Sequence, residues 1–104
     1  MNLTDFNIEM EKSFLRSKKL LSKKGNEYAT EEGNRLEQFY RAGAAQGILP
    51  TEALMGMATK HITSIADMVK NPQDYSLRKW NEKLADLRNY TILLDALLRD
   101  LEVE

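Results

Sequence analysis

The stretch WNEKLADLRNYTILLDALLRDL, residues 80–101, decides the fold class. Trp80, Leu84, Leu87, Thr91, Leu94, Leu98 and Leu101 recur at alternating steps of four and three. At 3.6 residues per turn this keeps them in one line along a helix, the contact pattern of a bundle or coiled coil. Tyr90, Leu93 and Leu97 add a second apolar side, so the later half of this helix is apolar most of the way round. Such a helix is central in its bundle or lies at an oligomer interface.

Three more helices are expected upstream. The first is predicted from about Thr4 to Lys24, with an apolar stripe of Phe6, Met10, Phe14 and Leu21 and a stop at Gly25. A polar loop, GNEYATEEG, follows over 25–33. The second helix is predicted from about Glu32 to Gln46, burying Leu36, Phe39, Tyr40 and Ala44, with Gly43 allowing close approach of another helix and Gly47 as its end. ILPTEAL opens the third, with Pro50 suited to a first-turn position, Thr51 as a cap, and Leu54, Ala58, Ile62, Ile65 and Val69 as its core stripe. Asn71-Pro72 stops it, and Asp74 or Ser76 caps the fourth helix. Alternation of period two never persists, so the fold is all-α, a single helical domain over 1–104 built from about four helices, and oligomeric.

With 42% hydrophobic and 30% charged residues, the 104-residue chain has the balance of a soluble protein with one modest core. The net charge of −1 lacks the basic excess of a general nucleic-acid coat. The basic run RSKKLLSKK, residues 16–24, complements the first helix's dipole, and the terminal RDLEVE is mostly acidic. No cysteine is present, which excludes disulfides, a thiolate nucleophile and zinc-thiolate ligation. The opening MNLTDFNIEMEK has early acids and no apolar run, unlike a signal peptide, and no stretch has the length of a membrane span. A cytoplasmic protein with no membrane partner is expected.

Polar residues on otherwise apolar faces are the candidates for function. Glu82, Asp86 and Asn89 are spaced four and three and share a helix face that turns apolar at Leu93 and Leu97. Two carboxylates one turn apart can share a magnesium ion, with Asn89 adding a carbonyl ligand or contacting a base or ribose. The same acids can equally pair with Lys79, Lys83 or a base on another helix. On the third helix Lys60 is a candidate phosphate contact. His61, the single histidine, is a candidate proton carrier or ligand, or a polar neighbour of the core stripe. Ser64, His61 and Asp67 lie on one helix without a strained nucleophile turn or oxyanion donors, which argues against acyl transfer. The loop before the second helix offers Lys24, Tyr28 and Arg35 near a helix N-terminus, where anions are favoured. Tyr28 suits stacking on a base or anchoring the loop.

Three segments, EYATEEGNRLEQF (27–39), GILPTEALMGMATKHITSI (47–65) and WNEKLADLRNYTILLDALL (80–98), carry a resemblance. In order and spacing they resemble small helical proteins encoded by phages and prophages, from Gly25 onward. Gln38 stands before Phe39 where that pattern has Asn. More distantly the chain is similar to MazG-like all-α nucleoside triphosphate pyrophosphohydrolases and to nucleotide-modification-associated phage proteins. The resemblance implies an oligomeric helical bundle that holds magnesium against nucleotide phosphates with helix-borne carboxylates. Those enzymes carry Glu-x-x-Glu on one helix and Glu-x-x-Asp on the next. Here Glu82 and Asp86 are four apart, and the preceding helix has Lys60, His61 and Asp67 instead.

The leading expectation is a nucleotide or nucleotide-like ligand, including a host-defence signal, bound in an interhelical or inter-subunit pocket by Tyr28, Arg35, Lys60, His61 and Asn89. Glu82 and Asp86 are the residues that magnesium would use. A magnesium-dependent pyrophosphohydrolase is the first alternative. An inhibitor that binds a host defence protein, such as an anti-CRISPR, is the second.

Overall fold

The computed structural model describes residues 1–28 and 33–104. Those residues form four α-helices: α1 (Leu3–Tyr28), α2 (Glu37–Gln46), α3 (Pro50–Met68) and α4 (Leu77–Asp100). A short 3-10 turn, Pro72–Asp74, joins α3 to α4. No strand occurs among them. As expected, the C-terminal helix is long, and it sits between α1 and α3, while α2 packs on α3. No helix among the described residues is long and apolar enough to cross a membrane.

Local chemistry accounts for most boundaries. Gly47 adopts φ 68°, the left-handed position after a helix end, and its N–H and that of Ile48 return to carbonyls of α2. Gly43 is needed for close approach, though to the chain's own return rather than to another helix. A Cβ there would sit 2.8 Å from the Ile48 carbonyl oxygen. Pro50 is the first residue of α3, where its missing N–H costs nothing. Thr51 does not cap this helix; the Glu52 carboxylate instead accepts from the Leu49 N–H at 3.1 Å. Ser76 caps α4, its Oγ accepting from the Lys79 N–H at 3.1 Å. The Trp80 indole N–H donates to the Pro72 carbonyl at 3.0 Å and ties the turn to α4.

Three expectations are corrected. The first helix does not stop at Gly25. It continues to Tyr28, because Gly25 keeps an ordinary helical φ and lies against the Arg35 side chain. The second helix is observed from Glu37; residues 29–32, which hold part of the expected 25–33 loop and the Glu32 start, lie outside the described residues. The apolar stripes also turn differently from their spacing. On α1, Phe6, Met10 and Phe14 are exposed. On α3, Leu54 and Ala58 are buried but Ile62 and Val69 are exposed, while Ala53 and Met68 go inside.

The most consequential rotation is on α4. The line that includes Leu84 and Leu101 is only partly covered, whereas Ala85, Asn89 and Leu97 are buried. The core is Leu36, Phe39, Leu54 and Leu97, with Tyr40, Met57, Tyr90, Leu93 and Leu94 packed round it. So the face carrying Asp86, Asn89, Leu93 and Leu97 is the one that turns inward. Leu97→Ala, at 0% exposure, should cost about 2–5 kcal/mol of stability through lost burial and a residual cavity. Leu84→Ala, at 38% exposure, should cost well under that, about 1 kcal/mol or less. Urea denaturation of the two variants checks the rotation, and equal losses would refute it.

Candidate functional site

A crossing between α1 and α4 builds the site. Ser17 on α1 is 3% exposed, and its small side chain lets the helices approach closely. The Arg88 Nε–H donates to Ser17 Oγ at 2.7 Å, and Arg88 also donates to the Ser13 carbonyl at 3.3 Å. Burial lowers the Arg88 pKa, with the nearby Arg16 charge acting in the same direction. The Asn89 amide donates to the Ser17 carbonyl at 3.1 Å. That bond leaves Asn89 Oδ1 buried without a hydrogen-bond partner, in a residue 5% exposed. An unmet buried acceptor costs about 1–3 kcal/mol and marks a place where water or a ligand gains by binding.

Asn89 lines a cleft between the end of α1, the start of α2 and the middle of α4. Its polar walls are Lys24, Arg35, Gln38, Asp86 and Asn89; Phe39, Tyr90 and Leu93 are among its apolar ones. Its volume is about 40 Å³. That is room for a water or two, or for one edge of a larger ligand.

Asp86 organises the charges here. Its Oδ1 accepts from Lys24 Nζ at 2.9 Å, a bond across 62 residues of sequence. Its Oδ2 is 3.8 Å from His61 Nδ1, beyond hydrogen-bond reach. The His61 ring packs against Tyr90 with centroids 5.2 Å apart. Burial lowers the His61 pKa from 6.5; Asp86 opposes this, while Lys83 and Lys24 reinforce it. His61 is therefore neutral at neutral pH, and the ion partner of Asp86 is Lys24 rather than His61.

The expected site residues fall into two sets. Arg35, Asp86 and Asn89 line one cleft, and His61 stands behind Asp86. Lys60 instead opens on a separate groove with Gln46, Ile48 and Glu52. Glu82 is exposed and borders a groove with Arg16, Lys19 and Lys23. Tyr28 ends α1, and its side chain lies outside the described residues. Among the described residues no three acidic or histidine side chains converge as a metal site requires, and Asp86 is the cleft's single carboxylate. This donor set does not fit a magnesium ion shared by Glu82 and Asp86.

Ser17 and Arg88 were not identified from the sequence. A signal for Ser17 was present: it interrupts the apolar stripe of the first helix between Phe14 and Leu21, one turn after Ser13. Small residues one turn apart on such a stripe mark a close helix approach. Comparison with protein-family models, with curated proteins and with solved structures yields no match to this chain.

The neutral His61 makes stability depend on pH. Its folded pKa lies below the unfolded value of 6.5, so the unfolded chain binds the proton first. Stability attributable to His61 is full above 6.5 and falls as pH drops through 6.5 towards the folded value. Between about pH 7 and pH 5 the melting midpoint should fall, and His61→Gln should fall less. Parallel thermal melts followed by circular dichroism check this; equal slopes would sink it.

Proposed function

We propose that the chain binds a nucleotide or nucleotide-like ligand at the cleft between α1, α2 and α4. The observation that carries this reading is the unpartnered, buried Oδ1 of Asn89 in a cleft that also holds Lys24, Arg35, Gln38 and Asp86. Asn89 Oδ1 and the Asp86 carboxylate accept hydrogen bonds, as the N–H edge of a base supplies. Lys24 and Arg35 place positive charge at the same cleft, which favours a phosphate. The Tyr90 ring and Leu93 offer apolar area beside those polar groups.

The volume of about 40 Å³ limits how such a ligand sits. One polar edge enters, and the rest of the nucleotide lies across the mouth. Binding and sequestration suit this arrangement better than hydrolysis does, because among the described residues the cleft brings one carboxylate rather than the several that hold two metal ions. A phage-encoded protein that captures a host-defence nucleotide signal is the biological form of this proposal.

Isothermal titration with nucleoside mono- and triphosphates and with cyclic mono- and dinucleotides tests it. At least one class should bind more tightly than about 1 mM. Asn89→Leu and Gln38→Ala should each weaken that binding roughly tenfold or more, because each removes a polar group from the cleft wall. Lys60→Ala, which changes a different groove, should leave it unaltered. Absence of binding by the whole panel, or binding indifferent to both cleft variants, overturns the proposal.

A further inference from the structure

Among the described residues the first half of α1 has no hydrogen bond to another helix. Residues 1–12 are all exposed, and the first such bond is Arg88 on the Ser13 carbonyl. Residues 3–12 therefore extend as a helical arm about 15 Å long. Most helical stability in proteins comes from covering an apolar face, which this part of α1 does not do within the bundle. The arm has such a face. Leu3, Phe6, Met10 and Phe14 follow one another at steps of three, four and four, with Phe6 54% and Phe14 58% exposed.

The same helix carries a charge gradient. Residues 3–14 hold Asp5, Glu9 and Glu11 against one base, Lys12. Residues 15–24 hold Arg16, Lys18, Lys19, Lys23 and Lys24 and no acid. A helix acidic in its first half and basic in its second is complementary to a second copy of itself laid antiparallel. Glu11 and Lys18 are seven residues apart and so flank the apolar face on the same side. In an antiparallel pair, same-side flanks meet.

The same molecule offers a receptor for the arm. Between α1 and α4 runs an apolar groove of about 430 Å³, walled by Phe14, Leu21, Thr91 and Ile92 and edged by Lys18 and Arg88. It continues the line of the arm's apolar face towards the C-terminal half of α1.

We infer that two copies of this chain pair through antiparallel α1 helices, each arm lying along the other copy's α1/α4 groove. The two-fold axis passes close to Phe14, so the two Phe14 rings meet. Phe6 and Leu3 of each copy enter the groove of the other. Asp5, Glu9 and Glu11 then stand opposite the basic half of the second copy's α1, with Glu11 facing Lys18. The contact is isologous: each copy gives its arm and receives the other's in the same α1/α4 groove.

Sedimentation equilibrium should give a mass twice the chain's 12.0 kDa. The double variant Phe6→Glu/Met10→Glu should sediment as a single chain while retaining a cooperative thermal melt, because neither side chain is buried in the bundle. Glu11→Lys and Lys18→Glu should each weaken association roughly tenfold, and the combined exchange should recover most of the loss. The chain has no cysteine, so Phe14→Cys is a clean probe; on oxidation it should form a covalent dimer. Three outcomes overturn the inference. The native chain sediments as a monomer. The arm variant stays dimeric. The charge exchange fails to outperform its single components.

Discussion

The crossing of α1 over α4 at Ser17 sets the rest of the molecule. It is made largely of polar contacts: Arg88 on the Ser17 hydroxyl, Arg88 on the Ser13 carbonyl and Asn89 on the Ser17 carbonyl. Buried polar contacts of this kind add modestly to stability when complete and cost heavily when one partner is missing. They fix rotation and register more than they supply cohesion. Given this crossing, Lys24 reaches Asp86 and the cleft acquires its charges. The same crossing leaves α1 before Ser13 beyond the edge of the bundle. Both the polar cleft and the apolar arm follow from where one serine sits.

The sequence reading reached the class of fold because helix periodicity and Gly/Pro punctuation are local. Gly47, Pro50, Pro72 and Ser76 mark boundaries through backbone chemistry that any neighbourhood would respect. Gly25 misled because glycine marks a helix end only when the left-handed conformation is used. Here its missing side chain accommodates Arg35 instead. The alternating spacing from Trp80 to Leu101 misled for another reason. Periodicity says which residues share a line, but packing against α1 and α3 decides which line is deepest. A small residue, Ala85, and a polar one, Asn89, lie deeper than Leu84 because α1 comes close at Ser17.

The candidate site was legible to the same extent. Asp86 and Asn89 were visible as polar residues on a face that later turns apolar, and they line the cleft. Their company could not be read, since the rotation of one helix against another is not written in the spacing within either. Glu82 is only one turn from Asp86, yet it faces Arg16, Lys19 and Lys23 across a different groove. Lys60 and His61 are adjacent in sequence, and the 100° between successive residues sends one to Asp86 and the other to Gln46 and Glu52.

Asn89 shows how a structural requirement and a binding capacity can reside in one side chain. Its amide N–H is committed to the Ser17 carbonyl, and that bond determines the way the side chain points. The carbonyl oxygen on the same side-chain carbon is left buried without a partner, in a residue that lines the cleft. A leucine in its place would remove the cost of the unmet acceptor along with the bond to Ser17. An aspartate would lose the donor and add a charge beside Asp86. An amide both holds α1 and leaves an unmet acceptor in a residue that lines the cleft with Asp86, Gln38 and Arg35. The unmet oxygen is thus a consequence of docking α1, and it becomes useful where that docking also brings Lys24 to the same cleft.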